Sequence, residues 1–223
     1  MPRRARIVVE DMPHHITQRG NFGQKVFESD IDSRKYLAWV QEYSYKYKLS
    51  ILAYCLMPNH VHFIVTPRRK DSLARTFNTV HMCYAQYVNK KTQRNGHLWQ
   101  GRFFSCVLDE PYLIAALRYV ERNPVRANLV DKPWNWKWSS AAVHTQKGNS
   151  LLYLENIFNI IDMNATEWEE YIKCGEDENI IDAIKRHTLV GRPLGSDRFI
   201  DNLKKRLQVN FPVLTRGRPK KNS

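Results

Sequence analysis

The residues whose types and spacing could do chemistry are His60-Val61-His62 on one segment and Tyr119 with Asn123 on another. The run His60-Val-His-Phe-Ile-Val65 reads as a β-strand, and alternate side chains on a strand share a face. His60 and His62 therefore lie within reach of one ion, and Val61, Phe63 and Val65 take the opposite face. Imidazole is a common ligand for divalent metals. Two imidazoles alone leave the coordination incomplete, and an isolated pair of this kind is also an ordinary surface feature.

The segment from Pro111 to Asn123 supplies what is missing. Read as a helix, it gathers Leu113, Leu117 and Val120 into an apolar stripe and sets Tyr112, Ala116, Tyr119 and Asn123 on a second stripe beside it. On this reading Tyr119 is not a central core residue, and Asn123, four residues on, is its neighbour on the helix surface. A phenol with its ordinary pKa of about 10 is a poor nucleophile, so it needs a nearby cation or base to stabilise the phenolate. A metal held by His60, His62 and the Asn123 amide oxygen would meet that need at a scissile phosphate. The competing reading of Tyr119 is an amphipathic-helix tyrosine.

Other elements must position these groups. His14 to Arg19 is extended and stops at Gly20-Asn21, a turn signal. A helix runs from Asp30 to about Lys48, capped by Ser29 or Asp30. Leu49 to Leu56 and His60 to Val65 form a hairpin through Met57-Pro58-Asn59. A second helix runs from Ser72 to about Arg94, Arg102 to Leu108 is extended, and the tyrosine helix follows. This order predicts an α+β domain, a ferredoxin-like antiparallel sheet with helices on one face, with a small C-terminal helical appendage. The expected divisions are a catalytic domain over 1–147, the appendage over 148–208 and a flexible basic tail over 209–223.

Composition narrows the partner. The 223 residues carry a formal charge of +13, with six Trp and eleven Tyr to offer stacking surfaces, so nucleic acid leads. Four scattered cysteines without a C-x-x-C pair exclude a zinc knuckle or disulfide framework and fit a reducing cytoplasm. No segment approaches the roughly 18 apolar residues of a membrane span. Residues 151–187 hold nine acidic and three basic side chains, and the acidic segment from Glu167 to Asp182 reads as a solvated helical face rather than a second metal site. The stretch from Asn202 onward holds seven Lys or Arg and no acid.

Five segments in order then resemble a known family, the single-tyrosine HUH transposases, and within it the REP-associated tyrosine transposases of bacteria. They are His15-Ile-Thr-Gln-Arg-Gly-Asn21, Leu56-Met-Pro-Asn-His-Val-His-Phe-Ile-Val65, Leu98-Trp-Gln-Gly-Arg-Phe103, Arg118-Tyr-Val-Glu-Arg-Asn-Pro-Val-Arg-Ala127 and Trp136-Lys-Trp-Ser-Ser140. The resemblance implies that His60 and His62 bind Mg²⁺ or Mn²⁺ and that Tyr119 forms a 5′-phosphotyrosine link, releasing a 3′-hydroxyl. It also implies single-stranded DNA hairpins of repeated palindromic elements as the substrate. Related enzymes often carry Gln four residues after the tyrosine; Asn123 keeps the amide oxygen with one methylene less reach.

Arg19, Asn21, Trp99, Arg102, Phe103, Arg118 and Arg122 are candidate DNA contacts. Arg216 and Arg218, in Arg216-Gly-Arg-Pro-Lys-Lys221, resemble an AT-hook core, alongside the plainer reading of a basic tail binding phosphates. Gly191-Arg-Pro-Leu-Gly195 and Phe199-Ile-Asp-Asn-Leu-Lys204 resemble text in longer relatives. Two other functions stay open at this point: a non-catalytic nucleic-acid-binding module, and a metal-dependent phosphodiesterase in which water attacks. Monomer and homodimer are both compatible with the chain.

Overall fold

The structure is a computed structural model and describes residues 6–209 and 211. Four strands, β1 (His14–Arg19), β2 (Leu49–Met57), β3 (His60–Pro67) and β4 (Phe104–Val107), form one antiparallel sheet in the order β2-β3-β1-β4. With α1 (Asp30–Lys46) between β1 and β2, and α2 (Ser72–Thr92) between β3 and β4, this is the ferredoxin-like arrangement. Met57 extends β2 opposite His60, so the hairpin turn is Pro58-Asn59 alone.

Strand alternation divides the sheet as the pattern of β3 predicts. Val61, Phe63 and Val65 face α1 and α2 and join a core with Ile16, Tyr36, Leu37, Phe77 and Tyr84. Helix α1 starts where Ser29 and Asp32 form a reciprocal capping box.

The opposite face is covered as well. Helix α3 (Glu110–Glu121), capped by the Asp109 side chain on the Tyr112 N–H, lays Leu113, Ala116, Leu117 and Val120 against it. The chain kinks at Arg122 and continues as α4 (Asn123–Arg126) and the short α5 (Ala141–His144). Then α6 (Ala165–Lys173), α7 (Glu178–Val190) and α8 (Asp197–Leu207) follow. Trp168 and Ile172 from α6, with Ile181 and Ile184 from α7, share one core with α3 and the sheet. The acidic 151–187 stretch thus carries a buried apolar stripe behind its solvated face.

Both edges of the sheet are closed by segments quoted above. The Leu56 N–H donates to Trp138 O (2.8 Å) and the Ser140 N–H to Tyr54 O (3.0 Å), which pairs 138–140 with the edge of β2. Beyond β4, the Leu194 N–H donates to Val107 O (2.9 Å) and the Asp109 N–H to Leu194 O (3.1 Å). A covered edge offers no free ladder to a second chain. Gly195 is required there, because a Cβ would lie 2.4 Å from the Phe199 ring and 2.7 Å from the Asp109 carboxylate.

Candidate active site

Three strands bring the histidines together. Cross-strand register places His60 opposite Met57 and Arg19, and His62 opposite Cys55 and Thr17. The His60 and His62 rings are 5.0 Å apart and nearly perpendicular. Tyr119 comes down from α3 onto the same face, with its ring 5.4 Å from His62 and 5.6 Å from His15. The expected grouping of His60, His62 and Tyr119 is therefore present in space, and Asn123 stands one turn beyond Tyr119.

Hydrogen bonds decide what each imidazole can offer. The Asn59 Nδ2 donates to Gly23 O (3.2 Å), which orients the amide so that Oδ1 faces His60 Nδ1 at 2.6 Å. Since that oxygen only accepts, His60 carries its proton on Nδ1 and keeps a lone pair on Nε2. His62 Nδ1 lies 2.9 Å from His15 Nε2, and His15 Nδ1 lies 2.8 Å from Thr188 Oγ1 on α7. The chain His62–His15–Thr188 admits two proton arrangements, one of which leaves His62 Nε2 with a lone pair. Burial lowers the His60 pKa to about 4, with Arg19 and Arg126 adding to the effect. It pushes His62 well below its ordinary value and His15 down to about 3, so all three rings are neutral at pH 7.

Tyr119 differs from the reading of its helix. It is only 5% exposed, because the helix surface beside the apolar stripe faces the buried histidines rather than solvent. Burial raises its pKa, opposed by the Arg126 guanidinium and the Asn123 amide. The Arg126 Cζ sits 4.5 Å from the Tyr119 ring centroid, its Nη2 donates to Tyr119 O (3.0 Å), and its Nη1 pairs with Glu176 at 2.5 Å. Asn123 is buried, and its Nδ2, which acts on the Tyr119 phenol, makes no hydrogen bond of regular geometry. Among the described residues, no three His, Cys, Asp or Glu side chains converge as a metal-ligand set. His15 does not complete one, since its Nε2 is engaged with His62.

The candidate DNA contacts separate into two groups. Arg19 is exposed on the histidine face, Arg102 is exposed, and Asn21 is half-buried with its N–H on Leu98 O. Trp99 and Phe103 are buried: the indole N–H of Trp99 donates to His81 O (3.0 Å), and Arg6 stacks 3.7 Å above the Phe103 ring. Both rings belong to the α1–α2 core and present no stacking face to solvent.

Arg118 donates to Cys174 O (3.0 Å) and lies over the Tyr171 ring. Arg122 donates to the Ile172 and Lys173 carbonyls and pairs with Glu176. These two cations tie α3 to the 171–176 segment instead of lining a surface. Arg216 and Arg218 lie outside the described residues.

Helix α3 also holds a fully buried carboxylate, Glu121. It accepts from Ser140 Oγ (2.6 Å), His144 Nδ1 (2.5 Å) and Trp168 Nε1 (2.9 Å), and so joins α3 to α5, α6 and the edge of β2.

Compared with known proteins, residues 8–123 match the family described as IS200-like transposases, a span that covers both histidines, Tyr119 and Asn123. The chain belongs to the IS200-like transposase family. Among solved structures, a REP-associated tyrosine transposase bound to a REP hairpin matches with a TM-score of 0.56 at 15% identity. That match covers 70% of this chain and 93% of the other. A transposase structure from Deinococcus radiodurans R1 overlaps with a TM-score of 0.37 at 15% identity, over 53% of this chain and 95% of the other. No curated protein matches the chain. Membership places the chain among transposases, and no helix among the described residues is long and apolar enough to cross a membrane.

Sequence reasoning missed His15, Thr188 and Arg126 as members of this site. The alternation of β1 sets His15 apart from Ile16, but the register of β1 on β3 is needed to bring it to His62. Thr188 carries no local signal at all. Arg126 falls seven residues, two helical turns, after Tyr119, which is the signal that could have found it.

Proposed function

We propose that this chain cuts and rejoins single-stranded DNA, with Tyr119 as the covalent nucleophile. The observation that carries this reading is the Tyr119 ring packed against His62, two residues along the strand from His60, with the Arg126 guanidinium on its ring. Burial leaves the phenol a weaker acid than a free tyrosine, so it rests neutral and ionises only as it attacks. Arg126 stabilises the negative charge that develops on the phenol oxygen.

In the step proposed, the Tyr119 oxygen bonds to phosphorus, the bond from phosphorus to the 3′-oxygen breaks, and the 5′ end is left on the protein. The phenol proton is lost to solvent as the departing 3′-oxygen becomes a hydroxyl. Attack by a 3′-hydroxyl reverses the step and rejoins the strand, because the phosphotyrosine retains the energy of the phosphodiester.

The residues present fit a divalent cation. His60 presents Nε2 on a tautomer fixed by Asn59, His62 presents Nε2 in one of its two proton arrangements, and the Asn123 amide would add its oxygen as the third ligand. Mg²⁺ or Mn²⁺ held there would supply electrostatic stabilisation to the phosphate in displacement. Catalytic residues then come from 1–147, with Thr188 of the 148–208 segment supporting them. Arg19, Asn21 and Arg102 remain the proposed contacts to a DNA hairpin and its unpaired foot.

Incubation of labelled single-stranded hairpin DNA with Mg²⁺ or Mn²⁺, followed by a denaturing gel, tests the reading. Wild type gives a metal-dependent covalent adduct, and Tyr119→Phe binds DNA without one. Cleavage with no adduct would transfer the chemistry to water, and binding with neither would favour a non-catalytic module.

A further inference from the structure

Phe22 is the most exposed large apolar side chain among the described residues, at 96%, and its backbone is left-handed (φ 52°, ψ 22°). A bulky side chain adopts that region only where the surrounding structure forces it, and such positions cluster at binding sites. Here the forcing is visible. The Gly20 N–H donates to Asn59 O (2.8 Å), the Asn21 N–H to Leu98 O (2.8 Å), and the Gly23 and Gln24 N–H groups to Gly20 O and Asn21 O (both 3.0 Å). A Cβ on Gly20 would lie 2.4 Å from Gln24 O, so the turn closes this tightly only with glycine. Further along the same loop Val26 and Phe27 are buried in the α1–α2 core. The loop is therefore well held and able to bury apolar rings, yet it leaves Phe22 outside.

Its anchorage connects it to the catalytic groups. Asn59 donates to Gly23 O, next to Phe22, and accepts from His60 Nδ1. Arg19, at the entry to the loop, is exposed and stands opposite His60 in the sheet. One asparagine thus fixes both a metal-ligand candidate and the turn that presents the ring.

We infer that Phe22 is a stacking platform for an unpaired base of the bound DNA strand, beside the scissile phosphate. This rests on the reading of His60 and Tyr119 as a strand-cutting site. Exposed aromatics beside cationic grooves are how single strands are held without sequence preference, each stacked base strengthening binding by about 5- to 150-fold. The rigid turn holds that base at a constant offset from His60.

Because stacking tolerates sequence, the test needs no cognate hairpin. Single-stranded oligonucleotides carrying one 2-aminopurine, moved position by position, are titrated with the full chain as wild type, Phe22→Ala and Phe22→Trp. Wild type and Phe22→Trp quench the probe at a particular position. Phe22→Ala loses that quench and binds about 5- to 150-fold more weakly, and its melting temperature stays near wild type because the side chain is 96% exposed among the described residues.

Equal quench and affinity in Phe22→Ala overturns the inference, as does Phe22-dependent self-association in sedimentation with DNA binding unchanged. Wild type that binds no single-stranded DNA brings down the strand-cutting reading along with it. Normal wild-type binding with an inert Phe22→Ala brings down only the role of Phe22.

Discussion

On β3, Val61, Phe63 and Val65 enter a core of aliphatic side chains and aromatic rings closed by α1 and α2. His60 and His62, alternating with them, enter a face where neutral imidazoles, a phenol, an amide and a carboxylate lie buried together. The first face is covered by the two crossover helices, each next in sequence to the strands it packs on. The second is covered by α3 and by helices about a hundred residues downstream of β3. Burying polar groups without satisfying them is costly, so a polar face needs partners at defined positions, and a distant segment can supply them without disturbing the hairpin. The comparison teaches that the residues of the proposed chemistry lie on one side of the strand only, within a face that also carries an apolar core of its own.

The sharpest test of that division pairs substitutions from the two sides. Tyr119→Phe should lower covalent adduct formation by roughly 10³-fold or more while changing unfolding free energy by less than about 1 kcal/mol. Phe63→Ala should do the reverse, costing about 3–5 kcal/mol in urea unfolding while whatever remains folded still forms adduct. A Phe63→Ala protein that is folded but inactive would break the division.

Acid should weaken both faces together. Burial holds His14 at about 4 and His81 at about 3 on the first face, and His60 at about 4 and His15 at about 3 on the second, all below an ordinary value of 6.5. The unfolded chain takes up protons on these groups below pH 6.5, and the folded chain does not until about pH 4. Stability is therefore complete above pH 6.5 and falls as pH drops toward 4, by up to about 1.4 kcal/mol per pH unit for each histidine. A melting temperature that rises between pH 7 and pH 5 would contradict the burial of these rings.

Much of the first face could be read from local pattern, and less of the second. The alternation of β3, the stripe Leu73, Phe77, Val80 and Tyr84, and the Ser29 cap each involve residues within a few positions, where periodicity speaks directly. Those same rules put His60 and His62 together and set Tyr119 on the correct stripe. They fail where partners are far apart in sequence. Arg118 and Arg122 resemble surface cations until carbonyls some fifty residues away claim them, and Trp99 and Phe103 resemble stacking surfaces until β4 returns to the sheet. In the acidic segment, charge dominates the composition and hides Trp168, Ile172, Ile181 and Ile184, whose burial depends on a face already formed by α3.

Glu121 asks whether the second face contributes to stability as well as chemistry. The carboxylate accepts three hydrogen bonds, from α5, α6 and the segment at the edge of β2, and Glu121→Gln replaces an acceptor oxygen with a donor at the same volume. The expected cost is about 1–3 kcal/mol in chemical denaturation, with adduct formation per folded molecule kept. A neutral result would mean that the apolar core and the Arg118 and Arg122 ties hold the C-terminal helices in place without the carboxylate.

The smallest expected effect is the most discriminating, because it reaches the site through two intermediaries. Thr188→Val keeps the volume on α7 and removes the hydroxyl that meets His15 Nδ1. With that acceptor gone, His15 has less reason to hold its proton on Nδ1, and the arrangement that leaves a lone pair on His62 Nε2 loses its support. The Mn²⁺ concentration that half-saturates adduct formation should rise by at most about tenfold, while the rate at saturating Mn²⁺ stays near wild type. A rate that falls with no change in half-saturation would show that His15 and Thr188 position Tyr119 rather than His62, and would move their role from the strand to the helix.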